Sequence, residues 1–169
     1  MDTIEALKTR RSVRSFTSEP VSDEQLQTIL SAAMHAPSAC NQQPWPFITI
    51  RSRETLNQIA QMHPYARMLQ QAPLAIIVCG DQSLEVCPGN WVIDCSAAMQ
   101  NLLLATHALG LGAVWVGIYP VETRVKEIGG LLGLPKFAAP LCLAAIGHPA
   151  EPLVQADRLK PERLHQERW

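Results

Sequence analysis

Apolar residues near the start of the chain follow a helical spacing. Ile4 and Leu7, beside Lys8, form a short amphipathic turn that runs into the polar stretch Arg10-Arg11-Ser12. The stretch from Val21 to Ala36 reads as a helix with Leu26, Ile29, Leu30 and Ala33 on one face. Ser22 stands at its N-cap, Gln25 completes a capping box and Pro37 ends it. Phe47 to Ile50 has the β-branched character of a strand. Ser52 to Met62 then repeats the helical period, with Ser52 as cap and Leu56, Ile59 and Ala60 inward. A helical turn is predicted within Tyr65 to Gln71. Ala75 to Cys79 is a continuous apolar run of strand length, which marks a central strand buried on both faces. The longest helical pattern, Trp91 to Leu109, is apolar on nearly every side. Gly110 and Gly112 are placed to end it, with Gly112 expected as the terminator. A strand over Ala113–Ile118, a helix over Val121–Leu132 closed by Gly133, and a strand over Leu141–Gly147 complete the alternation. The alternation gives an α+β or α/β class, one sheet with helices on both faces, in one domain spanning residues 1–169. A helix apolar all round needs partners all round, one side being the sheet and another a second copy of the chain. The tail from Arg158 to Trp169 is charged and without period, yet Leu159, Leu164 and Trp169 are more apolar than a free tail requires.

With 47% hydrophobic and 17% charged residues, the 169-residue chain is built to bury a core. Fourteen Lys and Arg against fifteen Asp and Glu leave no cationic excess to bind nucleic acid or acidic lipid. No apolar run approaches the roughly 20 residues of a membrane span. Met1-Asp2-Thr3-Ile4-Glu5 does not resemble a signal peptide, so the cytoplasm is the expected compartment. Cys40, Cys79, Cys87, Cys95 and Cys142 are odd in number and contain no CxxC pair, which predicts reduced thiols rather than a disulfide framework. The five histidines form no HExxH or HxH pair, and no metal centre is predicted.

Two clusters carry candidate chemistry. Arg10-Arg11-Ser12-Val13-Arg14 sets three guanidinium forks and a hydroxyl within five residues, a donor set that matches a phosphate monoester. A solvated basic turn is the plainer alternative. Pro37-Ser38-Ala39-Cys40-Asn41-Gln42-Gln43-Pro44-Trp45 is rich in carboxamides and bracketed by prolines, so it can hold a neutral hydrogen-bonding surface for a heteroaromatic edge. An ordinary surface loop is the alternative there. Cys40 invites a nucleophile reading, but no neighbouring His or acid partners it. Gly110-Leu111-Gly112 before Trp115-Val116-Gly117 runs helix, glycines, strand, the reverse of a dinucleotide fingerprint. Gly117 would let something flat approach a strand end. His148 reads as a strand-end turn residue, and His35, His63, His107 and His165 fall in no constellation. Trp45, Trp91 and Trp115 read as core or interface residues.

Taken in order, RRSVR at 10–14, APSACNQQPW at 36–45, the Asp94-containing helix ending Gly110-Leu111-Gly112, and Gly147-His148-Pro149 resemble the nitroreductase family of flavin enzymes. The resemblance covers essentially the whole chain. It implies a mostly antiparallel central sheet and an intimate homodimer with FMN at the interface. It also implies a carboxyl-terminal tail, residues 153–169, laid across the partner. By the same resemblance Arg10 and Ser12 hold the FMN phosphate with Arg11 adjacent, and Arg158 is a further phosphate ligand. Arg14 and Arg67 face the pyrimidine edge, where positive charge offsets the negative charge of the reduced flavin. Pro37, Ser38, Ala39 and Asn41 match the loop lent by the partner subunit. Trp115, Val116 and Gly117 match the segment against the ring, in which a backbone amide reaches flavin N5. Larger members often carry a Pro and a Glu in that segment. This chain is a short member without the insertion over the site, which implies a more open pocket.

The activity so implied is a ping-pong oxidoreductase. NAD(P)H gives a hydride to FMN, and a nitroaromatic, quinone or related small acceptor then takes the electrons. No acid or base of the protein is required, because the cofactor carries the chemistry. A flavin sensor or store without turnover is the alternative of a different class, and a Cys40 hydrolase is a third.

Overall fold

The computed structural model describes residues 1–169. Its elements are α1 (Thr3–Thr9), α2 (Asp23–Met34), β1 (Phe47–Ile50), α3 (Arg53–Met62), β2 (Leu74–Asp81), α4 (Trp91–Ala108), β3 (Gly112–Gly117), α5 (Glu122–Leu131) and β4 (Ala138–Gly147). The α2 capping box forms as expected. Ser22 Oγ accepts from Gln25 N and the Gln25 side chain accepts from Ser22 N, satisfying two amide donors that the helix start leaves free. Ser52 caps α3 in the same way, through Thr55 N.

The four strands are ordered β1-β2-β4-β3, and every pairing is antiparallel. β2 is therefore internal, and its first seven residues are buried. Its period-2 alternation serves two cores. Leu74, Ile76 and Val78 face the side covered by α2 and α4, while Ala75, Ile77 and Cys79 face the side of α3 and α5. β4 begins at Ala138, three residues before the apolar run starts, because β2 continues to Asp81 and supplies pairing partners for that stretch.

The glycines after α4 divide their work differently from the expectation. Gly110, at φ +77°, turns the chain out of the helix, and Gly112 opens β3. A Cβ on Gly112 would lie 2.7 Å from the Val13 Cβ. The missing side chain lets the Arg10–Arg14 segment lie against β3, where Val13 N donates to Ala113 O at 3.0 Å and Ser12 bridges Ala113. That contact fixes the first candidate cluster at the sheet edge.

On α4, Trp91, Cys95, Ala98, Met99, Leu102 and Leu103 are buried. Ile93, Ala97, Gln100, Leu104 and Ala108 form a stripe at helical spacing that this chain covers only partly, and Ile93 is 67% exposed. The tail is tied down only at its start. Arg11 donates to Val154 O and Ala156 O, both at 3.0 Å, and from Asp157 onward every hydrogen bond stays within the tail. Leu159, Leu164 and Trp169 stand in the open.

The expectation of five reduced thiols is corrected. Cys40 and Cys87 are joined as a disulfide, and Cys79, Cys95 and Cys142 are free and buried. Forty-seven residues separate the pair, so no local spacing announces it. Gln42 brings the two loops together, its Oε1 accepting from Val86 N at 2.8 Å and Cys87 N at 3.0 Å. Thiol labelling of the unfolded protein is expected to find three groups without reductant and five after reduction. Five groups without reductant would contradict the bond.

Candidate functional site

The segment pinned by Val13 borders three depressions that share walls. The first, about 420 Å³, is lined by Ser12, Arg14, Glu151 and Arg158 among others. The second, about 720 Å³, takes in Lys8, Arg10, Arg11 and Asp157 and shares Arg11 and Arg158 with the first. The third, about 470 Å³, shares Arg14 and adds Tyr65, Arg67 and the β3 residues Val114 to Gly117. Together they make a trough of a size suited to a cofactor. Six cations border it, none in an ion pair, against the two carboxylates Glu151 and Asp157.

The side chains of Arg10, Ser12, Arg14, Arg67 and Arg158 make no hydrogen bond within the chain. Burial, then Arg158 and then Arg11, lower the Arg10 pKa from its ordinary value. A guanidinium stays charged at neutral pH regardless, so this crowding is repulsion that an anion would relieve. Arg11 borders the first two depressions. Its guanidinium is already taken up by the carbonyls of Lys8, Arg10, Val154 and Ala156. It therefore holds the tail, and through it Arg158, over the trough.

At the far end Trp115 is 37% exposed and a Cβ on Gly117 would meet nothing within 4 Å. A planar group has room against this strand end. His63, which falls in no constellation in the sequence, is buried behind it. Its Nε2–H donates to Gly117 O at 2.9 Å, and its Nδ1 accepts from Tyr65 N at 3.2 Å. Burial lowers its pKa, the Gly117 carbonyl opposes this and Arg124 adds to it. His107, also buried, donates to Thr9 Oγ1 at 2.8 Å and is lowered by burial, then by Arg10 and Arg11.

Acidification is therefore expected to cost stability. Both imidazoles resist protonation in the folded state, so below the ordinary value of 6.5 the unfolded chain binds more protons. Stability is fully present above that value and is lost as pH falls through it toward the lower folded values. A series of thermal melts across this range checks the sign, and a Tm that holds or rises on acidification would contradict it.

Pro37, Ser38, Ala39 and Asn41 line none of the three depressions. They belong to a stiff loop on the α4 side of the sheet. Cys40, Asn41 and Gln43 have φ of +51°, +53° and +46°, a strained region for non-glycine residues. Asp94, buried on α4, holds that shape: Oδ1 accepts from Ala39 N at 2.9 Å and Oδ2 from Gln42 Nε2 at 2.6 Å. Ser38 Oγ accepts from Gln43 N, and the Gln43 amide positions the Asn41 carboxamide. One chain thus carries two prepared surfaces that do not meet within it.

The sequence model described as Nitroreductase family matches residues 7–75 and 62–148. The chain belongs to the nitroreductase family. A Methanothermobacter thermautotrophicus protein with the provisional name NADH dehydrogenase/NAD(P)H nitroreductase is 50% identical over 169 residues, covering 100% of this chain and 88% of its own. A Bacillus subtilis protein named FMN reductase [NAD(P)H] is 32% identical, covering 99% of this chain and 74% of its own. Among solved structures, a protein from Desulfovibrio desulfuricans, provisionally named a nitroreductase and crystallised with FMN, is 33% identical. It superposes with a TM-score of 0.85 over 100% of this chain and 98% of its own.

Proposed function

We propose that this nitroreductase is an FMN-dependent NAD(P)H oxidoreductase that works by alternate binding of donor and acceptor, the acceptor being a nitroaromatic, a quinone or a related small molecule. The observation that carries the reading is the trough of unpaired cations ending at the open Trp115–Gly117 strand end. A dianionic phosphate at one end and a flat ring at the other satisfy both features. FMN, when bound, supplies the hydride and electron chemistry. The residues of the chain bind it and set its charge balance. Arg10, Ser12 and Arg158 hold the phosphate. Arg14 and Arg67 offset the negative charge that reduction places on the pyrimidine edge. Gly117 admits the ring against backbone, with Trp115 and Val116 beside it.

The site is completed in a homodimer, in which Pro37, Ser38, Ala39 and Asn41 of one subunit close over the trough of the other. The half-covered α4 stripe and the tail without partners support this arrangement. Residues 1–169 act as one domain whose segment 153–169 packs on the second subunit. No helix is long and apolar enough to cross a membrane. Dependence on the intracellular nicotinamide pool supports a cytoplasmic setting.

Steady-state kinetics with varied donor and acceptor test the reading. Parallel double-reciprocal lines are expected. Intersecting lines contradict the alternating order, and the absence of turnover with any acceptor leaves a flavin store.

A further inference from the structure

Beyond the cofactor's own contacts, the third depression is lined by Tyr65, and Arg124, which is outside that lining, packs on the Tyr65 ring. Tyr65 is 68% exposed, lines the depression, and makes no hydrogen bond through its hydroxyl. The guanidinium of Arg124, from α5, sits over the Tyr65 ring at 5.6 Å from its centroid. Its only protein hydrogen bond is a long one of 3.5 Å from Nη1 to Gly117 O. No carboxylate pairs with it: of the two acids on its own helix, Glu122 is 3.8 Å from Lys126 and Glu127 makes no ion pair. The depression itself is lined by Arg14 and Arg67 and by no acidic residue.

Each feature has a chemical meaning. The exposed ring offers a stacking face to a second planar molecule. The guanidinium is oriented by the ring and the Gly117 carbonyl, and most of its donors are unused. His63, donating to the same carbonyl, fixes the loop that carries Tyr65 to the strand that carries Gly117. Ring and cation are thus held together, with the ring on the wall of the depression. Arg14 and Arg67 line the depression, and Arg124 adds a third cation against the Tyr65 ring.

We propose that Tyr65 and Arg124 form a clamp that selects electron acceptors bearing a carboxylate or similar anionic group on a planar ring. The proposal rests on the reductase reading and narrows its acceptor class. The anionic group could instead be the phosphate of the nicotinamide donor, and the test separates the two sources. For a nitroaromatic the two-electron step balances as ArNO2 + NAD(P)H + H+ giving ArNO + NAD(P)+ + H2O, and the clamp alters only which ArNO2 is held.

Two measurements on the FMN-loaded protein decide the matter. Benzoate and benzyl alcohol are titrated into the oxidised protein by flavin absorbance or calorimetry, with no turnover involved. Separately, kcat/KM is compared for 4-nitrobenzoate and 4-nitrobenzyl alcohol, with the reductive step timed for NADH and NADPH. The wild type is expected to favour the anionic member of each pair by about tenfold, one charge-assisted contact's worth. Arg124→Ala removes that preference and Arg124→Glu reverses it, while the reductive step stays unchanged. Tyr65→Ala weakens both members, whereas Tyr65→Phe keeps the stacking and the preference. Equal binding of benzoate and benzyl alcohol to the wild type would overturn the clamp, as would a loss confined to the NAD(P)H step. Binding preference without turnover of either nitro compound would sustain the clamp and count against the reductase reading alone.

Discussion

Replacing Arg10 and Ser12 together with alanine is expected to strip the protein of FMN while leaving it folded. Neither side chain makes a hydrogen bond or ion pair with any other part of the chain, so their loss removes no internal polar contact. Arg10 sits partly buried beside Arg158 and Arg11, and this repulsion is relieved only when an anion arrives. Two charge-assisted contacts to a phosphate contribute about 1.5–3 kcal/mol each, or roughly 3–6 kcal/mol together. That is about two to four decades in Kd. Flavin content after desalting, with a thermal melt as the control for folding, measures the effect. Full occupancy in the double variant would remove the phosphate assignment.

Asp94→Ala is expected to damage both stability and cofactor binding, although Asp94 does not face the trough of its own chain. It is the acceptor for Ala39 N and Gln42 Nε2, and Gln42 in turn accepts from Val86 N and Cys87 N. Without the carboxylate two partly buried donors lose their partners, at a cost of about 1–3 kcal/mol for each. A loss near 3 kcal/mol lowers Tm by roughly 6–12 °C in a domain of this size. The positive φ values at Cys40, Asn41 and Gln43 then have less to hold them, so the loop relaxes and FMN affinity falls by about tenfold or more. Asp94→Asn keeps one oxygen but sets an amide donor against another donor, and its effect falls between. Calorimetry and flavin titration read the two losses separately. A variant with wild-type Tm and a wild-type loop would show that the disulfide and prolines suffice.

What the sequence revealed depended on whether the cause was local. The α2 helix was legible because Ser22 and Gln25 state its start within three residues. β2 was legible because the apolar run Ala75 to Cys79 is of strand length and has no polar face. The basic cluster and the carboxamide loop could be picked out by their donors alone. Their separation onto two surfaces could not, since it depends on Gly112 accepting Val13 and on Asp94 holding Ala39 across 55 positions. Asp94 did leave a signal, the one carboxylate in a largely apolar helix, which requires buried partners. His63 left none, because its partner is a backbone carbonyl 54 residues away. Arg11 was legible as a cation but not as the anchor of the tail. The Cys40–Cys87 pair was hidden by an odd cysteine count, three members of which are buried and unpaired.

The central claim, that this chain carries FMN and reduces it with a nicotinamide donor, is tested most directly by one spectrum. Freshly purified protein is placed under anaerobic conditions, its visible absorbance is recorded, and NADH or NADPH is added. A yellow flavin spectrum that bleaches on addition of the donor is the expected result. Colourless protein that also fails to take up added FMN would contradict the account.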